Sequence, residues 1–133
     1  VMDEITLEVR DYIISTLPGI PANNDELFQA YAAFIQYFLD YPNRFYFMYM
    51  YKHNRVEGQD PLFVSDDFQV QMRESHRYLL DAKRFSLEEV GLLSQRVLYG
   101  IFGLLTLYFT GNFNLTKEMV IPAFRDFFDK QMN

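Results

Sequence analysis

The chain has 133 residues, 50% hydrophobic and 18% aromatic, with 14 Phe, 10 Tyr and no Trp; that is one domain's worth and too apolar for disorder. Twelve basic against 18 acidic residues leave a net charge of −6, a poor balance for gripping phosphate backbones. The absence of cysteine excludes disulfide scaffolds, thiolate metal sites and cysteine nucleophiles, and fits a cytoplasmic setting.

Asp3 and Glu4 stand where a signal peptide would be basic, so no secretory leader is expected. Ile5, Leu7, Val9, Tyr12, Ile13 and Leu17 form a first amphipathic helix, which Pro18-Gly19-Ile20-Pro21 ends. Asn23 with Glu26 three residues on resembles a capping box. It opens a second helix carrying Leu27, Phe28, Tyr31, Phe34, Ile35, Phe38 and Leu39. Pro42 suits the first turn of a third, through about His53. Its run from Arg44 to Tyr51 favours a strand by propensity. Its helical flanks and the lack of a pairing strand make it helix instead.

Residues Arg55 to Leu62 read as a loop, and Ser65 to Lys83 as a fourth helix with Phe68, Met72, His76 and Leu79 on one stripe. Its basic residues Arg73, Arg77, Lys83 and Arg84 alternate with Glu74, Ser75 and Asp81, the pattern of a solvated face. Ser86 and Glu89 box the start of a long helix that Gly111 ends. Thr116 caps a last helix with Val120, Ala123, Phe124, Phe127 and Phe128, which Pro122 should bend. The predicted architecture is all-α, a bundle of about six helices in a single domain spanning 1–133.

The long helix is expected to have two opposed apolar faces. At 100° per residue, Leu93, Val97, Gly100, Leu104, Leu107 and Gly111 fall on one side. Leu98, Phe102, Leu105 and Phe109 fall nearly opposite. One face would cover the domain's own core and the other a partner subunit, with Gly100 and Gly103 permitting close approach. A central helix wrapped on all sides by its own chain would show the same pattern. The charge-free run from Val97 to Phe109 is too short for a membrane span, so no membrane partner is expected.

Catalytic constellations are largely absent. His53 and His76 lie in different helices, and no zinc, di-iron, P-loop or dinucleotide motif occurs. No catalytic residue, metal or cofactor is therefore expected. His76, on an apolar stripe, either points into a ligand cavity or is a half-buried structural histidine. His53 ends a helix, where its cation would suit the dipole.

Phe34, Tyr37, Phe38, Phe45, Met48, Tyr49, Phe68 and Met72 spread over three consecutive helices. With His76 and Phe102 they make a candidate lining for a lipophilic, aromatic ligand. An aromatic core with no guest would use the same residues.

The order of features resembles the C-terminal regulatory domain of TetR-family transcriptional repressors over essentially the whole length. The carriers are the helix Asn24–Tyr41, the junction Asp40-Tyr41-Pro42-Asn43-Arg44-Phe45, the run LYGIFGLLTLYFTGN from Leu98 to Asn112, and LTKEMVIPAFRDFF from Leu115 to Phe128. The family's specific motif, an N-terminal helix-turn-helix, is not in this sequence, so DNA would be read only through a domain outside it. The resemblance implies an effector-sensing, homodimerising domain without catalysis. Its last two helices would pair with those of a partner through Leu93, Val97, Gly100, Leu104, Leu107 and Gly111 with Val120, Phe124, Phe127 and Phe128. Val1–Leu17 would connect to the DNA-reading part, and ligand binding would favour one of its positions over another. The alternatives are a helical protein-interaction domain with no small-molecule ligand and a globin-like haem protein using His76 or His53.

Overall fold

The computed structural model describes residues 2–17, 19–50, 70, 73–82, 85–111 and 113–133. Its elements are helix α1 (Met2–Thr16), α2 (Asn24–Asp40), α3 (Pro42–Phe45), a π-helical turn (Tyr46–Met50), α4 (Arg77–Asp81), α5 (Leu87–Thr110) and α6 (Lys117–Met132). The protein is all-α, with no strand among the described residues. The first part of the predicted fourth helix, apart from Val70, lies outside them, as do the 55–62 loop, His53, Phe68, Met72, Lys83 and Arg84.

The helix ends follow the capping chemistry of the sequence. The Ser86 hydroxyl accepts the Glu89 N–H at 3.1 Å, and the Glu89 carboxylate accepts the Ser86 N–H at 3.2 Å. That is a complete capping box. At α2 the Asn23 side chain accepts the Glu26 N–H, but the Glu26 carboxylate reaches Ala22 instead of Asn23. Gly111 closes α5 at φ 69°, a left-handed conformation that glycine adopts without steric cost. Thr116 occupies the N-cap of α6 without a side-chain bond. The 42–50 segment is helical as expected, but slackens from α to π geometry after Phe45.

Helix α2 is the centre of the molecule. From Leu27 to Leu39 only Gln29 is exposed, with Ala32 and Gln36 half-buried beside it. Helix α1 lays Ile5, Val9 and Ile13 on it, one residue per turn, while Leu7 points to solvent. Helix α6 runs antiparallel to α2: Lys117 pairs with Asp40 at 3.3 Å, and Arg125 with Asp25 at 2.8 Å. On either side of the Arg125 tie, Phe124 and Phe128 pack their rings 5.7 Å from Phe28. Wrapping on nearly all sides, considered above for the long helix, belongs to α2.

Helix α5 buries Val90, Leu93, Val97, Leu98, Ile101 and Leu105. Both predicted stripes contribute to this one buried face. By length and composition α5 is long enough and apolar enough to cross a membrane, contrary to the expectation that its apolar run is too short. A third of its most apolar window is buried within the bundle.

Candidate ligand-binding site

Among the described residues the buried polar side chains outside the tyrosines are Thr6, Ser75 and His76. Ser75 and His76 line one cavity. His76 sits at a turn between helical residues 73–75 and α4, where its imidazole meets α2. Its Nε2 lies 2.6 Å from the Tyr31 hydroxyl in a buried hydrogen bond. With the imidazole proton on Nδ1, the phenol donates. Burial, and to a lesser degree the Tyr78 phenol, pushes the Tyr31 hydroxyl well above its ordinary value of 10.0. It therefore stays a protonated donor. The Phe124 and Phe128 rings, each 6.1 Å away, flank the Tyr31 ring.

Four elements supply the remaining walls: Ile13 from α1, Leu27, Ala30 and Phe34 from α2, the 75–76 turn, and Leu98 from α5. The free space is about 10 Å³, room for roughly one water. Chemically this is an apolar slot ending in a hydrogen-bonding pair. It can recognise one polar atom of a lipophilic molecule, once the molecule widens the slot or replaces the Tyr31–His76 bond. Among the described residues no three His, Cys, Asp or Glu side chains are grouped as a metal site requires.

The aromatic residues singled out from sequence divide into two groups. Phe34, Phe38, Phe45, Tyr49 and Phe102 come together, with Tyr49 and Phe102 centroids 4.6 Å apart and Phe34 and Phe38 5.1 Å apart. Phe45 bridges to Phe109 at 5.2 Å, and Met48 is buried beside Phe45 in the same core. These rings fill one another's space and only Phe34 reaches the cavity. Burial pushes the Tyr49 phenol upward.

Tyr37 points elsewhere. Its hydroxyl accepts from Arg44 at 2.6 Å and donates to Glu8 at 3.1 Å, while Arg44 also pairs with Glu8 at 2.8 Å. The Arg44 guanidinium stacks 4.2 Å from the Tyr41 ring centroid. This cluster ties α1 to the α2–α3 elbow. Burial raises the Tyr37 phenol, and the Arg44 hydrogen bond opposes that rise.

The residues assigned to a partner interface are corrected by their burial. Leu93, Val97, Val120, Phe124 and Phe128 lie in the chain's own core, because α5 and α6 must cover α2 before they can cover anything else. Leu104 and Phe127 are half-buried against that core. Gly100 does permit a close approach, but of this chain's own Phe127: a methyl group placed on Gly100 would lie 2.5 Å from the ring's Cε1. Leu107 and Gly111 remain exposed. The outward stripe of α5 is Leu92, Tyr99, Gly103 and Leu107, about a quarter turn from the one expected. Tyr99 is 60% exposed, and Met119 of α6 is exposed as well.

Sequence reasoning named His76 but missed Tyr31, its partner 45 positions away. Their pairing depends on where the 75–76 turn meets α2, which no local pattern encodes. The outward Tyr99 was detectable as a large ring one turn from Gly103. Comparison with protein-family models, with curated proteins and with solved structures found no match to this chain.

Proposed function

We propose that this chain is the effector-binding and dimerisation domain of a TetR-like transcriptional regulator. It takes a lipophilic, aromatic small molecule and acts on DNA only through an N-terminal domain outside this sequence. One observation carries the proposal: the Tyr31–His76 cavity has Ile13 of α1 as a wall. A molecule that enlarges this slot toward Ile13 displaces α1, the helix that would connect to a DNA-reading part. The effect requires only that the molecule bind one position of α1 better than the other; tenfold is about 1.4 kcal/mol. The resemblance of the α5 and α6 sequences to that family's dimerising helices supports self-association. The surface that would serve it is Leu92, Tyr99, Gly103 and Leu107 with Met119, residues that α5 and α6 turn to solvent.

Native mass spectrometry of the chain, followed by thermal-shift screening of lipophilic aromatic compounds, tests both halves. The expected result is a two-chain mass and a compound whose stabilisation drops when Tyr31→Phe removes the hydroxyl. A second reading, a helical interaction domain with no small-molecule ligand, is favoured by the cavity's volume of about 10 Å³. A monomer that no compound stabilises would establish that reading and overturn the first.

A further inference from the structure

A second, larger hollow lies where α1 ends and the chain turns toward α2. Its volume is about 420 Å³, within the ~300–1,000 Å³ of small-molecule sites. Ile14 and Leu17 supply its walls from the end of α1, Ile20 and Pro21 from the connection, and Glu74 and Ser75 from the segment before α4. Ile14 is 54% exposed and Ile20 64%, so the hollow holds branched apolar side chains in contact with water. Covering them is favourable by roughly 25 cal/mol for each Å² removed from water.

Among the described lining residues Glu74 carries the only charge. Its counter-ion, Arg77, is 3.6 Å away, and 66% of the arginine side chain and 45% of the glutamate's are exposed. Such a pair contributes little and exchanges readily for another cation. Arg77 itself does not line the hollow, and the chain's net charge of −6 raises the local concentration of cations.

We infer that this hollow binds a lipophilic cation, its apolar body against Ile14, Leu17 and Ile20 and its single ammonium-type charge at the Glu74 carboxylate. The site is separate from the Tyr31–His76 cavity and does not depend on the chain's being a regulator. Ser75 lines both hollows, so an occupant of the outer one abuts the wall of the inner.

Isothermal titration calorimetry of the full chain with decyltrimethylammonium, and with decyl sulfate as its anionic counterpart, tests the inference below micellar concentrations. Decyltrimethylammonium should bind at one per chain, and decyl sulfate at least about tenfold more weakly, a difference of about 1.4 kcal/mol. Glu74→Gln should weaken the cation about tenfold and leave the anion unchanged. Ile20→Ser should weaken both. Glu74 is partly and Ile20 mostly exposed, so these variants keep the fold, which thermal melting by circular dichroism verifies. Equal affinity for the two head groups, or affinities unmoved by Glu74→Gln and Ile20→Ser, would overturn the assignment. Loss of cation binding in Tyr31→Phe but not in Ile20→Ser would overturn it too, by placing the cation in the inner cavity. That last outcome leaves the proposed regulator function standing, which separates the two failures.

Discussion

Gly100 and Gly103 stand three residues apart on α5 and meet opposite surroundings. Gly100 lies under the Phe127 ring, whereas a methyl group on Gly103 would touch nothing within 4 Å. Gly100→Ala should therefore cost about 1–3 kcal/mol by overpacking, and Phe127→Leu in the same chain should recover most of it, read as denaturation midpoints. Gly103→Ala should stabilise a lone chain by about 1 kcal/mol through helix propensity. If Gly103 instead lies at a dimer contact, the substitution weakens association, and sedimentation separates the two outcomes. Tyr31 and Tyr49 give a pH prediction. Their folded phenols are raised above the ordinary 10.0, so below that pH both folded and unfolded states keep the proton and stability is unaffected. Above it the unfolded chain releases protons that the folded chain retains, and stability falls as pH rises. Urea midpoints from pH 8 to 11 should decline above 10, less steeply in Tyr31→Phe.

The helices themselves were legible because their ends are written in local chemistry: Asn23, Ser86, Gly111 and Thr116 all stand at observed boundaries. Which way each helix faces was less so. Periodicity finds an apolar stripe, but α5 carries apolar residues around most of its circumference. Only tertiary contact decides that Val97 goes inward and Tyr99 outward. The break at His76 and the π-helical turn after Phe45 were illegible for a related reason, since neither glycine nor proline marks them. The candidate cavity needed both: His76 was visible as a polar residue on an apolar stripe, Tyr31 was one of ten tyrosines. The Glu8–Arg44–Tyr37 cluster is likewise a product of how α1 meets α2. Because Glu8 and Arg44 are partly exposed, their pair contributes no more than about 1 kcal/mol. Arg44→Ala should thus barely shift global stability, yet speed hydrogen exchange in α1 relative to α6.

The assembled bundle leaves Leu87, Leu92, Tyr99, Leu107 and Met119 as exposed large apolar residues on α5 and α6. If the chain dimerises as proposed, Tyr99→Glu should convert the dimer to a monomer without loss of helicity, since the side chain is mostly in solvent; an unchanged sedimentation coefficient would move the contact elsewhere. The fold class was readable from sequence because every segment agrees on helix. Which apolar residues of α5 face outward was not, because burial within one chain and burial between two select the same residue types. Helix α1 has a further consequence for the molecule. Glu8, held by Arg44 and Tyr37, sits near its middle, and both hollows touch it beyond that point, at Ile13, Ile14 and Leu17. At ~1.5 Å per residue the arm from Glu8 to Ile13 is about 7.5 Å, and the arm back to Met2 about 9 Å. Were α1 to tilt as a rigid rod about Glu8, it would act as a lever. A push of one ångström at Ile13 becomes an opposite swing of about 1.2 Å at Met2, and each added helical turn ahead lengthens that arm by about 5.4 Å.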